Sequence, residues 1–360
     1  MNILYLISYA GKAGTEKYVW ELMETFSRRG DACCLVYGEA GELSRKTAAA
    51  GYPTVQMDLR PRHILSAARR LARFCEENLI DVIHAQYPRE SVIAVLSRCF
   101  RRETRVVFTS HLTIRQGALW RAVNRIVTPH DECVVSVCTR GAEQLRENGV
   151  APEKIRVIFN GLVPGPPPQK KNVIREEYGL GEETFVFLTM ARYAPEKGLD
   201  TLLASLSALR KKTDLPFVCV IAGDGPEFDH ITREIRRLEL AEQVIQAGYR
   251  TDTEELLRSA DAYVSTALYN EAMSFAILEA MSCALPLAVT DVGAGRDLAE
   301  GCGLVVPPGD PEAMAEALCT LLADRTLCAS LGRAARERVC SVFDFRRSAE
   351  ELRGIYGGGR

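Results

Sequence analysis

Short apolar runs alternate along the chain with longer segments whose apolar residues recur at helical spacing. In the first half the runs are 3–7, 33–37, 81–84, 105–109, 133–137 and 155–159. In the second half they are 185–190, 217–222, 243–247, 262–266, 287–290 and 304–306. Unbroken apolar runs of this kind read as strands covered on both faces. Between the first two lie Val19, Leu22, Met23 and Phe26, at the i, i+3, i+4 and i+7 positions of one helix face. Leu199, Leu202, Leu203, Leu206 and Leu209 line a helix after the run 185–190 in the same way. This alternation predicts βαβ units and parallel sheets. It occurs twice, so the expected fold class is α/β, with two Rossmann-like doubly wound domains.

The break between the two series is Pro164-Gly-Pro-Pro-Pro-Gln-Lys-Lys171. Its prolines continue neither a helix nor a central strand, so 164–172 reads as an extended linker. The predicted domains are therefore 1–163 and 173–342. The last segment, 343–356, has helical amphipathicity and no strand after it. It is expected to cross back and pack on the first domain. A chain of 360 residues is long enough for two cores. Two α/β domains joined by a hinge imply a central cleft, a common ligand position.

Composition narrows the class. No run of eighteen apolar residues occurs, so no membrane-spanning helix is expected. The opening apolar run lacks a basic flank and is too short for a secretory signal, so it reads as a buried strand. The cysteines are scattered without Cys-x-x-Cys pairs or zinc-like spacing, and read as reduced thiols of a cytoplasmic protein. Net charge is −2, yet residues 1–165 carry 23 Lys+Arg against 17 Asp+Glu, and 166–360 carry 22 against 30. The basic excess lies in Arg60, Arg62, Arg69, Arg70 and Arg73, then in Arg98, Arg101, Arg102, Arg105, Arg115, Arg121 and Arg125. Leu65, Leu71, Phe74, Phe100, Leu119 and Trp120 are interspersed among them. These segments suit either solvated helix faces or peripheral contact with the inner, anionic face of a membrane. No nucleic-acid module accompanies the basic residues, so nucleic acid is not an expected partner.

Candidate chemistry collects where strands end. Arg192 and Lys197 follow the run 185–190, at the edge where doubly wound sheets bind ligands. Together they suit the two negative charges of a departing nucleoside diphosphate. Gly223-Asp224-Gly225 follows the next run, and its glycines permit either close backbone approach to a ligand or a tight turn. Gly14 and Thr15 end the loop after the first strand, where backbone amides can face a phosphate or sugar. His111 ends another strand, either as a structural histidine or as a polar site residue. Glu271 and Glu279 are separated by seven residues. In one helix they would point about 80° apart. The spacing fits better if Glu271 stays in a loop, Ser274 caps a helix and Glu279 rises from its second turn. The two acids then grip different parts of one elongated ligand, with helix-start amides facing an anion between them. No Asp-x-Asp occurs, so Arg192, Lys197 and helix-terminal amides are expected to serve the diphosphate without a metal or other cofactor.

These motifs resemble those of retaining GT-B glycosyltransferases of family 4. The shared stretches are Ala191-Arg192-Tyr-Ala-Pro-Glu-Lys197-Gly198, Gly223-Asp-Gly-Pro226, Glu271-x7-Glu279-Ala-Met and Val305-Val-Pro-Pro-Gly-Asp-Pro311. Gly14-Thr-Glu-Lys17, Asp81-Val-Ile-His84 and Val157-Ile-Phe-Asn160-Gly161 match more loosely. The resemblance implies that Arg192 and Lys197 bind the diphosphate, Glu279 the ribose and Glu271 the transferred sugar. It places the amides of Met273, Ser274 and Phe275 against sugar and phosphate, and the loop around Arg250 near the nucleobase. His111 would hydrogen-bond the donor sugar. The implied activity is transfer of a sugar from a nucleotide sugar to a glycan or lipid-linked acceptor, in bacterial surface-polysaccharide assembly. Ala13 and Ala272 stand where glycines are usual, Gln86 where a second histidine is common, and Asn160-Gly161-Leu-Val lacks a following aspartate. A sugar-nucleotide epimerase or hydrolase would need a further general base, and a non-catalytic binding subunit would not need the acids and bases retained here.

Overall fold

In the computed structural model, which describes residues 1–11, 14–101, 103–166 and 168–358, the chain forms two units. Ala13, Arg102 and Pro167 lie outside the described residues. The first unit is Met1–Asn160 with Phe345–Arg360, and the second is Gly161–Asp344. The division thus falls at 160/161, and 161–172 belongs to the second unit instead of standing as a separate linker. One reason is ionic. Lys170 reaches the Asp261 carboxylate at 2.9 Å, and Arg175 holds the same carboxylate at 2.7 Å.

The first unit holds a parallel sheet of β1 (Asn2–Tyr9), β2 (Ala32–Glu39), β3 (Thr54–Gln56), β4 (Val82–Ala85), β5 (Arg105–Ser110), β6 (Cys133–Ser136) and β7 (Ile155–Val157). Their order is β3-β2-β1-β4-β5-β6-β7, the doubly wound arrangement. Strand β1 shows how the sequence dictates the layers. Ile3, Tyr5 and Ile7 face one side and pack with Val19, Leu22, Met23 and Phe26. Leu4 and Leu6 face the other and pack with Ala67, Leu71 and Ile93. Period-two alternation within an all-apolar run fills both layers, which is why the run carries no polar positions. Strand β3 escapes a reading by apolar runs because Thr54-Val55-Gln56 is short and half-exposed at the sheet edge.

The second unit holds β8 (Phe185–Met190), β9 (Phe217–Ala222), β10 (Val244–Gly248), β11 (Ala262–Ser265), β12 (Leu287–Thr290) and β13 (Gly303–Val306). Their order is β10-β9-β8-β11-β12-β13. Phe185, Phe187, Leu199, Leu202, Leu203, Leu206 and Leu209 share one core.

The helix Phe345–Tyr356 packs within the first unit. Phe345, Ala349, Leu352 and Tyr356 are its buried stripe and join the core around Tyr18 and Phe26. Tyr356 is bonded through its hydroxyl to His84 Nδ1 at 2.5 Å, while His84 Nε2 lies 2.6 Å from Thr109 Oγ1. Arg29–Glu350 at 2.6 Å and Arg353–Asp31 at 3.3 Å fix the outer face. Burial lowers the His84 pKa to about 3, so the ring is neutral and depends on these two hydroxyls. Tyr356→Phe strips one partner from a buried ring nitrogen, for an expected loss of about 1–3 kcal/mol. Chemical denaturation followed in the first unit, through Trp20 or Trp120 fluorescence, measures it.

Candidate active site

Strands β8 and β11 are neighbours whose connections depart in opposite directions, the position at which doubly wound sheets open a crevice. The loops leaving them are stitched together by backbone. Gly198 is left-handed, with φ 63°, and a Cβ there would lie 2.2 Å from the Thr266 carbonyl oxygen. Thr266 Oγ1 donates to the Lys197 carbonyl at 3.1 Å, and the Leu268 amide donates to Glu196 O at 2.8 Å. This contact sets Lys197 beside the β11 exit, where its ammonium pairs with the Glu271 carboxylate. Arg192 rises from the same turn but pairs with its neighbour Glu196, its side chain 66% exposed.

In the segment after β11, Asn270 is the left-handed residue, with φ 56°. Ala272 is not in that region, so its methyl group is accommodated and buried. The glycine requirement falls instead on Gly293, φ 55°, whose Cβ would lie 2.4 Å from the Glu271 carbonyl oxygen. The Ala294 amide holds the Ala272 carbonyl at 2.6 Å. Ser274 occupies the N-cap position of the helix Phe275–Ser282, but its side chain accepts no amide. That corrects the expected cap: the position is right and the side-chain bond is not made. Its backbone carbonyl accepts instead from the Leu278 amide at 3.2 Å, leaving the cap to the main chain. Met273 is buried, and Ser274 and Phe275 are half-buried at the helix start.

Glu279 lies in the second turn of that helix, and both acids act on one buried group. The Tyr263 hydroxyl on β11 lies 3.3 Å from the Met190 amide and 3.2 Å from its carbonyl, at the end of β8. Burial raises the Tyr263 pKa most, and the charges of Glu271 and Glu279 raise it further. Two carboxylates eight positions apart thus both act electrostatically on the Tyr263 hydroxyl. Sequence reasoning misses Tyr263, since within a strand run it reads as one more core residue.

Beside them, the exits of β8, β9 and β10 enclose a cavity of about 370 Å³ lined by Met190, Arg192, Gly223, Asp224, Tyr249 and Arg250, among others. Gly223 is there for packing. Its φ is 143°, a Cβ would meet the Ala191 carbonyl oxygen at 2.0 Å, and its amide donates to Gly248 O at 2.7 Å. That bond and close approach make the tight turn, and Gly223 also lines the cavity, so the turn and the ligand-facing backbone coexist at one residue. Arg250 is held by Glu177 at 2.7 and 2.9 Å and by Asp252 at 2.8 and 2.7 Å. Its charge is committed within the protein, while its neighbour Tyr249 is 68% exposed at the cavity.

Gly14, Thr15 and His111 belong to the first unit. Gly14 and Thr15 open the helix Gly14–Ser27 after the β1 exit. His111 follows β5, with its Nε2 at 2.9 Å from Gln86 Oε1 and the Tyr18 ring edge-on at 5.0 Å. Burial lowers its pKa to about 3, so it is neutral near pH 7. Glu90 lies on the helix Pro88–Ser97, accepting a hydrogen bond from Ser8 through one oxygen and leaving the other buried without a partner. Among the described residues no three His, Cys, Asp or Glu side chains gather to hold a metal ion.

The chain matches the model of glycosyl transferases group 1 over residues 170–338 and that of glycosyltransferase family 4 over residues 13–164. It is 27% identical over 354 residues to a GDP-mannose-dependent alpha-(1-6)-phosphatidylinositol monomannoside mannosyltransferase of Mycolicibacterium smegmatis, covering 89% of this chain and 88% of that protein. It is 22% identical over 308 residues to an N-acetyl-alpha-D-glucosaminyl L-malate synthase of Bacillus anthracis, covering 82% and 79%. Among solved structures, Anabaena HepE in complex with UDP superposes with a TM-score of 0.87 at 19% identity, covering 99% of this chain and 100% of that one.

Burial pushes the Glu90 pKa up to about 7 from an ordinary 4.5. The folded state thus keeps this proton after the unfolded chain has lost it, and Glu90 costs stability increasingly as pH rises from 4.5 to 7. Glu90→Gln is expected to be more stable than the parent at about pH 8, with the difference shrinking towards about pH 4. Melting temperatures of both proteins across that range check the sign.

Proposed function

The chain belongs to the family 4 glycosyltransferases, with their GT-B fold, and on that premise we propose that it is a retaining enzyme using a nucleotide-diphosphate sugar. The acceptor is a hydroxyl of a glycan or glycolipid, in surface-polysaccharide assembly. The observation that carries the donor reading is the Lys197–Glu271 ion pair at the switch between β8 and β11, with Glu279 one turn into the helix that follows. Glu279 holds the ribose hydroxyls, and Glu271 the transferred sugar. Lys197 and Arg192 neutralise the diphosphate as its bond to the sugar breaks. The ion pair with Glu271 keeps Lys197 placed before the donor enters, and donor binding lets the ammonium turn to phosphate. The amides of Met273, Ser274 and Phe275 complete the anion's surroundings. Tyr249 offers its ring to the nucleobase from the edge of the cavity. His111, neutral, hydrogen-bonds the sugar. The acceptor hydroxyl attacks from the face the diphosphate leaves, and the departing phosphate takes its proton, so configuration is retained. HepE, solved with UDP and with UDP-glucose, supports a nucleotide sugar as the donor class. Lysine, arginine and amides supply the positive charge, so no divalent metal is needed.

A thermal-shift screen across nucleotide sugars selects the donor, since a saturating ligand raises apparent stability. With that donor, Glu279→Ala is expected to raise KM roughly 10- to 100-fold with little change in kcat, the cost of charged hydrogen bonds to ribose. Lys197→Ala should weaken donor binding and also lower kcat about 100-fold or more. Parental affinity together with normal turnover in Lys197→Ala would remove the diphosphate assignment. Turnover should survive EDTA, and loss restored by magnesium contradicts metal-free transfer.

Contact with an anionic membrane belongs to the same proposal and is supported by one helix of the first unit. In Ala118–Val127 only Asn124 is buried, while Leu119 and Ile126 are 77% and 71% exposed. No acidic residue occurs from 111 to 130, where Arg115, Arg121 and Arg125 lie. The other basic segment is different: Arg60 is taken by Asp58 and Arg73 pairs with Glu77. No helix among the described residues is long and apolar enough to cross a membrane. Leu119→Glu with Ile126→Glu should abolish co-sedimentation with phosphatidylglycerol vesicles at low salt. Equal pelleting of parent and variant means the helix is not the contact.

A further inference from the structure

Gln86 is the departure from the family pattern that the donor site leaves unexplained, and its surroundings decide the protonation of His111. Gln86 follows β4, is wholly buried, and donates its backbone amide to Leu6 O at 3.1 Å. Its side-chain nitrogen donates to the His84 carbonyl oxygen at 3.1 Å. A carbonyl oxygen only accepts, so the amide nitrogen must be the end that faces it. Oε1 is therefore the end 2.9 Å from His111 Nε2. An amide oxygen also only accepts, so His111 Nε2 must carry a hydrogen. The ring is neutral, because burial lowers its pKa to about 3. A neutral imidazole holds one ring proton, which leaves Nδ1 with its lone pair.

We propose that Gln86 is a positioning residue that locks His111 in the Nε2-protonated tautomer, so that Nδ1 accepts a hydrogen bond from a substrate hydroxyl. The functional half of this rests on the reading of His111 as a sugar-facing residue; the tautomer does not. The matching ligand group is a hydroxyl, which donates. A phosphate or carboxylate oxygen, which has no proton at neutral pH, is turned away at this position. His111 thus selects a sugar hydroxyl where Lys197 selects the anion. Histidine at position 86 would give the same partner only in one of its own tautomers, whereas an amide has a fixed acceptor end.

The groups around His111 leave this arrangement undisturbed. Tyr18 meets the ring edge-on from the helix Gly14–Ser27, and Tyr87 lies 6.5 Å away between ring centres. Both are phenols whose pKa burial raises, so both are neutral. Glu16 and Glu90 act on Tyr87, and burial holds Glu90 largely protonated below pH 7. His84, behind Gln86, is itself neutral and bonded to Tyr356 and Thr109.

The test is a long-range proton–nitrogen correlation spectrum of the full chain with ring-labelled histidine at about pH 7. His111→Asn assigns the signals. The expected result is a single Nε2–H tautomer for His111 in the parent protein. In Gln86→Met, which lacks the acceptor, the two tautomers should mix. In Gln86→Glu, a carboxylate should raise the His111 midpoint by about one pH unit or more. The acid limb of kcat/KM should then move up with that midpoint. An Nδ1–H tautomer in the parent, or a Gln86→Met spectrum identical to it, overturns the inference even if sugar transfer is intact. If no nucleotide sugar is turned over, the spectrum still decides the tautomer, and only the hydroxyl assignment falls with the transferase reading. Should both Gln86 variants fail to fold, the parent spectrum alone decides between the two tautomers.

Discussion

The site in the second unit depends on one constraint: two loops must part from adjacent strands and yet touch. Gly198 meets it by having no side chain where the Thr266 carbonyl passes, and Thr266 returns a hydrogen bond to Lys197 O. With the backbones fixed, Lys197 and Glu271 meet across 74 positions of sequence. Their pair is partly exposed, so it adds little to stability, roughly 0–1 kcal/mol. Its value is positional. In the proposed donor reading, this half-buried ammonium is a charge held ready for a stronger anion such as a diphosphate.

The same logic repeats one layer out. Gly293 lets the loop after β12 lie against the carbonyls of Glu271 and Ala272, while Gly223 and Gly225 let the β9 turn lie against 191–193. Each glycine is required by neighbouring backbone, so the acidic and basic side chains ride on a scaffold of close main-chain contacts. The buried Tyr263 hydroxyl pins β11 to the end of β8. In the first unit the scaffold is polar and buried instead. Tyr356, His84, Thr109, Gln86 and His111 form a chain of bonds running from the C-terminal helix to the strand edge. A network of this kind is rigid only when every member is satisfied, which ties the last helix to the geometry of His111.

Much of this is legible in the residues alone. The six second-half runs are the six strands, within a residue or two at their ends, because strands of a sheet flanked by helices are mostly apolar. Arg192, Lys197, Glu271 and Glu279 are marked by their place after strands. Strand β3 is not legible, because an edge strand of three residues needs no apolar run. Gly223 is legible as important but not as to why, since a glycine beside a ligand and one beside a carbonyl look alike in sequence. Ser274 falls at the right helix end, yet whether its hydroxyl caps depends on rotamer and neighbours.

By itself, then, the sequence determined the two doubly wound units, their strand runs and the residue types that meet at their edges. Those follow from periodicity and from turn chemistry, which act over a few residues. Only the tertiary structure decided which charges pair: Lys197 with Glu271, Arg192 with Glu196, Arg250 with Glu177 and Asp252. It also decided which ring nitrogen of His111 carries a proton, through Gln86. Pairing and protonation depend on distances of a few ångströms between residues far apart in the chain, and those distances exist only once the sheets have formed.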